Sequence, residues 1–324
     1  MDGETLVKRI LQGDKVALSR AITLIESMRP QDVEPAENLV THCLQVKTNS
    51  IRIGITGVPG VGKSTFIEAF GSHLTNLGKR VAVLAVDPSS SITKGSILGD
   101  KTRMEKLSND PNAFIRPSPA QDSLGGVAKR TRETIILCEA AGFDVILVET
   151  VGVGQSETLV HSMVDFFLLL KLAGAGDELQ GVKRGIMEMA DAVVINKADG
   201  ENVKAVKHAM TEFKRALHLY PPKENQWIPK VMSCSSLKYI GIDAIWEVIT
   251  TFLELTKENG HFGDNRTEQN KNWFLQTIEE QLKTRFFGKE NVKRSMKDYL
   301  IRIENKTISP VLAAQKLLQQ KDIE

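Results

Sequence analysis

A doubly wound, mostly parallel α/β sheet that carries a phosphate loop and helical N- and C-terminal extensions is the architecture this sequence predicts. Three observations lead to it. Seven short apolar runs between residues 51 and 234 are continuous rather than alternating, as strands covered on both faces of a parallel sheet are. Amphipathic helical stretches fill the gaps between them. The first run, IRIGITG, leads directly into VPGVGKST, so residues 51–65 read as strand, glycine-rich turn and helix start. The implied organisation is a helical region over 1–47, the phosphate-loop domain over 48–260 and a helical extension over 261–324.

In chain order, Leu6 and Ile10, then Leu18, Ile22 and Ile25, keep helical spacing on either side of a break at Gly13-Asp14. Arg29-Pro30 stops that element, and a further helix carries Leu39, Val40, Cys43, Leu44 and Lys47. This preface packs on the main domain or on a partner. The predicted strands are 51–57, 81–86, 113–118, 144–150, 164–171, 191–197 and 227–234, with helices ending at Gly78 and Gly142. In the tail, Phe274, Ile278, Leu282 and Phe286 recur at every fourth residue, and Val292, Met296, Leu300 and Ile303 continue after Gly288. Ser309-Pro310 supplies an N-cap and first-turn proline for a last helix through Leu318. The tail either packs back on the domain or serves self-association.

Composition narrows the function. Basic and acidic residues nearly balance, 42 against 40, which gives no electrostatic argument for nucleic acid or a membrane surface as a partner. Three widely separated cysteines do not make a disulfide framework and suit a reducing compartment. The N-terminus lacks a signal-peptide core and no apolar run approaches 18 residues, so the expected location is the cytoplasm.

The chemistry begins in the turn. Gly57 and Gly62 frame a G-x-x-x-x-G-K-[ST] pattern, and Gly57, Val58, Pro59, Gly60, Val61, Gly62, Lys63, Ser64 and Thr65 are the expected phosphate-binding residues. Polyphosphate must lie against bare backbone N–H groups, so a Cβ at Gly60 or Gly62 would block it, and the following helix adds its positive dipole end. Lys63 is expected to reach the β- and γ-phosphates, and the Ser64 hydroxyl to coordinate Mg²⁺.

The other polar clusters follow strand ends, where ligands of such sheets bind. VINKAD at 194–199 contains N-K-x-D: Asn196, Lys197 and Asp199 are expected at a guanine base, Asp199 accepting from N1–H and the 2-amino group while the Lys197 stem lies along the ring. VMSCSS at 231–236 places Ser233, Cys234 and Ser235 behind that base. ETVG at 149–152 sets Glu149 to hold Mg²⁺ directly or through water, with Gly152 near a γ-phosphate. Val153 stands where many GTPases carry a water-orienting glutamine, and Gln155 lies two residues on, so intrinsic hydrolysis should be slow. Asp87, in AVDPSSSITKGSILGDKTRM, is a further Mg²⁺ carboxylate; Asp100 binds metal, orients water or caps the helix from Lys101. Asp177 and Lys183, in AGAGDELQGVKRG, lie in a loop ordered by nucleotide or partner, or in a solvated linker.

Taken together, GVPGVGKST, GSILGDKTRM, ETVGVGQSE, LAGAGDELQGVKRGIMEMAD and NKAD resemble the methylmalonyl-CoA mutase-associated GTPases of the MeaB/ArgK type, within the SIMIBI class of P-loop proteins. GDKVALSRAITLIES and, in the tail, NWFLQTIEEQL and SPVLAAQKLL extend the similarity over nearly the whole chain. The resemblance implies a GTPase that uses GTP, GDP and Mg²⁺ and acts as a chaperone for an adenosylcobalamin-dependent acyl-CoA mutase, coupling hydrolysis to cofactor loading and removal of damaged cofactor. It also implies a homodimer formed partly through the helical tail, and a switch contacting the mutase at residues 173–185. Two other classes compete. A nickel-insertion GTPase would need Cys or His ligands near the switch loops, which the sequence lacks; an ATP-driven transport-associated kinase runs against N-K-x-D.

Overall fold

Residues 3–86, 104–117, 124–150, 156–174 and 184–319 are described by the computed structural model, 124–126 and 184 by main chain only. The β-branched run Ile51–Gly57 forms β1. Val81–Val86 forms β2, Ala113–Arg116 β3, Val145–Thr150 β4, Phe166–Leu172 β5, Ala192–Asn196 β6 and Lys230–Ser233 β7. All pair in parallel in the order β3-β2-β4-β1-β5-β6-β7, so the chain reverses its direction of travel across the sheet next to β1. A crevice at such a reversal, beyond the strands' carboxyl ends, is where this architecture takes ligands.

Helices α1 (Gly3–Leu11), α2 (Lys15–Glu26) and α3 (Pro30–Leu44) form the preface. Asp14 ends the break between α1 and α2 by accepting from Val16 N and Ala17 N, as an N-cap does. Pro30 not only ends what precedes it; it is the first residue of α3, where its missing N–H is harmless. The preface packs on the α/β domain: Lys15 Nζ donates to Ala113 O at 2.6 Å, Arg80 Nη2 to Gly13 O at 3.3 Å, and Glu26 pairs with Arg116. Ile10, Leu18, Ile22 and Ile25 are fully buried there.

Layered on the sheet are α4 (Lys63–Asn76), α5 (Glu105–Ser108), α6 (Leu124–Ala140), α7 (Ser156–His161), α8 (Arg184–Met189), α9 (Val203–Leu217) and α10 (Ile242–Glu258). One apolar core joins Ile53, Ile55, Phe66, Phe70 and Ile249, and a second joins Val193, Ile195, Phe213 and Val231. The predicted strand at 227–234 begins only at Lys230. Gln226 has φ 63°, and the buried Trp227 donates its indole N–H to Asp191 O at 2.9 Å, which ties the approach to β7 without extending it.

The chain divides into two compact units, Met1–Arg266 and Thr267–Glu324. In the second unit run most of α11 (His261–Gly288), then α12 (Glu290–Glu304) and α13 (Pro310–Leu318), the last capped by Ser309, whose hydroxyl accepts from Leu312 N. Val292 and Ala313 are buried, whereas Phe274, Leu282 and Leu300 are exposed. No helix among the described residues is long and apolar enough to cross a membrane.

An ionic cluster closes the first unit at the end of the sheet away from the glycine-rich turn. Arg266 donates to Asp165 from Nε at 2.8 Å and from Nη2 at 2.6 Å, and to Ser50 O at 2.9 Å, and its Nη1 lies 3.3 Å from Glu139. Arg52 makes a two-pronged pair with Glu139 at 2.8 and 2.7 Å. Burial alone would raise the Glu139 carboxyl, but the hydrogen bonds and charge of Arg52, then Arg266, hold it below the ordinary glutamate range. Because its folded value is depressed, the stability Glu139 contributes is present above its unfolded value and is lost as pH falls through the folded one. Arg266→Ala leaves Asp165 buried without its guanidinium and should cost about 3 kcal/mol, read as the shift in a urea unfolding curve at pH 7. A loss under about 1 kcal/mol would mean the cluster is solvated.

Candidate nucleotide site

The turn after β1 is built by glycine stereochemistry. Gly60 and Gly62 have φ 79° and 91°, which L side chains rarely adopt. A Cβ on Gly57 would come within 2.6 Å of Leu170 O on β5, and one on Gly62 within 2.9 Å of Asn196 Nδ2. Gly62 is therefore held to glycine by a protein neighbour as well as by φ; at Gly60 nothing lies within 4 Å and φ alone makes the requirement. Gly62 caps α4 without any side-chain hydrogen bond, leaving the first-turn N–H groups for an anion. Val61 is fully buried in the core, so only its main chain can face a ligand.

Lys63 opens α4. Its ammonium donates to Gly57 O at 2.8 Å and Val58 O at 3.5 Å, folded over the loop that phosphate would occupy. Burial draws it below the ordinary lysine range, opposed by the charges of Glu149 and then Glu157. Ser64 sits beside it, half-buried, and Thr65 is exposed. Glu149, near the carboxyl end of β4, is half-buried and lies in register with Ile55 of β1 and Ala85 of β2. Thr150, the next residue, is buried and donates to Thr56 Oγ1 at 2.9 Å, locking the two strand ends together. Ser64, in the first turn of α4, and Glu149, on the strand paired with β1, are hard oxygen donors, a set that suits Mg²⁺.

The second half of the site grows from β6 and β7. Asn196 Nδ2 donates to Val61 O at 2.9 Å, and Asn196 Oδ1 accepts from Ser236 Oγ at 2.8 Å and Ser236 N at 3.3 Å. The asparagine of N-K-x-D is thus a strut that ties the phosphate loop to the segment after β7. Lys197 takes φ 58° and donates from Nζ to Gly60 O at 3.0 Å, laying its stem across the gap between the two halves. Asp199 Oδ2 accepts from the Ser235 hydroxyl, which itself accepts from Lys238 N at 3.2 Å. Cys234 is buried, and burial pushes its thiol up to about 12, so it packs beside Asn196 rather than reacting. Gly241 has φ 75° and approaches Ser233 so closely that a Cβ would lie 2.7 Å from its carbonyl oxygen.

Lys63, Ser64, Glu149, Asn196, Lys197, Asp199 and Ser233–Ser235 are therefore brought to one edge of the sheet, at the carboxyl ends of β1, β4, β6 and β7. Asp87, Asp100, Asp177 and Lys183, with Gly152, Val153 and Gln155, lie outside the described residues. Sequence reasoning does not find Ser236 or the Thr56–Thr150 pair. Ser236 adjoins the predicted Ser233–Ser235 and points its hydroxyl at Asn196, which residue type alone does not reveal.

Comparison with known proteins gives the family. The profile of the methylmalonyl Co-A mutase-associated GTPase MeaB family matches residues 18–291. A probable GTPase of Mycobacterium bovis is 48% identical over 314 residues, spanning 97% of this chain and 94% of that protein. The mitochondrial methylmalonic aciduria type A homolog of Mus musculus is 42% identical over 326 residues, spanning 98% and 79%. A crystal structure described as LAO/AO transport system kinase superposes with a TM-score of 0.80 at 39% identity, covering 98% of this chain and 96% of that one. With a phosphate loop, an N-K-x-D strand end and a family match over most of its length, this chain belongs to the methylmalonyl Co-A mutase-associated GTPase MeaB family and is a P-loop GTPase.

Proposed function

We propose that this GTPase is a chaperone for an adenosylcobalamin-dependent acyl-CoA mutase, methylmalonyl-CoA mutase being the first candidate, and that it gates cofactor loading and protects or reactivates that enzyme. The supporting observation is the match to a mutase-associated family over residues 18–291, together with the name of the mouse relative. In this reading Gly57–Thr65 cradles the phosphates of GTP or GDP, and Asn196, Lys197 and Asp199 with Ser233–Ser235 enclose guanine. Ser64 and Glu149 would hold Mg²⁺, with Asp87 and Asp100 as further candidate carboxylates, and the ion would supply neutralisation of phosphate charge. The helical tail joins two copies in a cytoplasmic homodimer, consistent with the exposed Phe274 and Leu282.

Catalytic help comes from the partner in this account. Val153 stands where a water-orienting glutamine would be expected, so turnover by the isolated protein is slow. Residues 173–185 dock on the mutase, which places Lys183 near the developing phosphate charge and Asp177 at the contact. Cations supplied in this way raise GTP hydrolysis by about 10³–10⁵ in the best cases, and a lysine in a partly wet site should give less. Lys183→Ala is expected to leave GTP affinity and basal hydrolysis nearly unchanged while abolishing stimulation, measured by single-turnover hydrolysis with and without purified mutase. Undiminished stimulation of the mutant would assign the effect to another group. Pull-down from native extract with and without a non-hydrolysable GTP analogue tests the partnership itself: absence of any acyl-CoA mutase under both conditions would refute it.

A further inference from the structure

Among the described residues, Glu157 is the one acidic side chain of the site for which the phosphate chemistry above has no use. It stands in the first turn of α7, immediately after the residues that follow β4, and is only 3% exposed. Among the described residues its Oε2 is buried without a hydrogen-bond partner. The Ser156 hydroxyl beside it is likewise buried and unpartnered. A buried carboxylate oxygen left without a donor is costly and is retained only where some other interaction offsets it. α7 packs against β1 and β4, Val160 standing 3.0 Å from where a Cβ on Gly54 of β1 would lie, so Glu157, one turn earlier, sits toward the carboxyl ends of the strands that lead into Lys63 and Glu149, where its charge bears on the Lys63 ammonium. Lys63 in turn gives its hydrogen bonds to Gly57 O and Val58 O, so its attraction to Glu157 is one of charge through a poorly solvated interior.

We infer that Glu157 is an internal counter-charge for Lys63, one that competes with nucleotide phosphate for the ammonium and so weakens nucleotide binding and speeds release. The second carboxylate facing Lys63, Glu149, is expected to be neutralised by Mg²⁺ once nucleotide is bound. Glu157 is not, and the ammonium it attracts is then shared with phosphate. The energetic consequence has an unusual sign: removing a buried charge from the site should tighten binding. The inference rests on the reading that Lys63 faces phosphate.

Calorimetric titration with GDP, paired with stopped-flow release of a fluorescent GDP, tests it on the full-length protein. Glu157→Gln keeps the shape and removes the charge, and it should bind GDP about fivefold more tightly, chiefly through slower release. Glu157→Asp, whose charge is retained but withdrawn by one methylene, should fall between the two, and it serves as the readout if Glu157→Gln fails to fold. In a Lys63→Ala background the same Glu157→Gln change should no longer tighten binding, because there is no ammonium to compete for. Unchanged or weaker GDP affinity in folded Glu157→Gln would overturn the inference, as would tightening that persists in full without Lys63. If Lys63→Ala alone binds GDP like wild type, the phosphate-loop reading has failed instead, and the two failures are told apart.

Discussion

Lys63→Ala is expected to lower guanine-nucleotide affinity about a hundredfold while leaving the fold intact, the loss of a charge-assisted phosphate contact setting the scale. The side chain leaves α4 and crosses the loop to Gly57 O and Val58 O, making no contribution to the apolar core formed by Phe66 and Phe70. Its substitution therefore opens no cavity. What is lost is a cation in a site where burial and two carboxylates already bear on it, so phosphate loses charge-assisted hydrogen bonds worth about 1.5–3 kcal/mol each. Calorimetric titration with GDP, together with a thermal melt, measures both parts. Nucleotide affinity equal to wild type would remove the phosphate loop from the reading.

Asp199→Asn should weaken GTP binding by about 1.5–3 kcal/mol and favour xanthine nucleotide relative to it. The carboxylate is oriented by the Ser235 hydroxyl, which leaves its remaining lone pairs for the N1–H and 2-amino donors of guanine. An amide cannot accept both, yet its NH₂ suits the xanthine O2. Ser235→Ala provides a graded companion: it keeps the carboxylate but frees its rotamer, and should cost less than Asp199→Asn. Competition binding with GTP, ATP and xanthosine triphosphate reads all three. ATP binding as tight as GTP in the wild type would contradict the base assignment before any mutant is made.

Much of this site was legible in the chain itself because its chemistry depends on residue type at short spacing. Gly57, Gly62 and Lys63 lie within seven consecutive residues, and Asn196, Lys197 and Asp199 within four. The strand-ending positions of Glu149 and Asn196 could be read from the apolar runs before them, since a buried parallel strand is continuous in sequence. Boundaries were less legible. β7 begins three residues later than its apolar signal because Gln226 takes φ 63° and the Trp227 main-chain N–H is given to Asn225 Oδ1, while its indole reaches Asp191 O across 36 residues. Helix α3 likewise begins at Pro30, a residue whose sequence signal reads equally as a stop and as a start.

By itself the sequence determined the fold class, the phosphate-loop motif, the N-K-x-D strand end and the family, all of which rest on local patterns or on similarity along the chain. Only the tertiary structure decided which of those residues touch one another. It made Asn196 a strut to Val61 O, set Ser235 on Asp199 and Ser236 on Asn196, and gathered Arg52, Glu139, Asp165 and Arg266 into one buried ionic cluster. It also left the Glu157 Oε2 buried without a hydrogen bond among the described residues. The reason is physical. A hydrogen bond or an ion pair depends on separation in space, and the fold brings together residues as far apart in sequence as Ser50 and Arg266. Glycine stereochemistry and apolar periodicity act within a few residues and can be read as they are spelled.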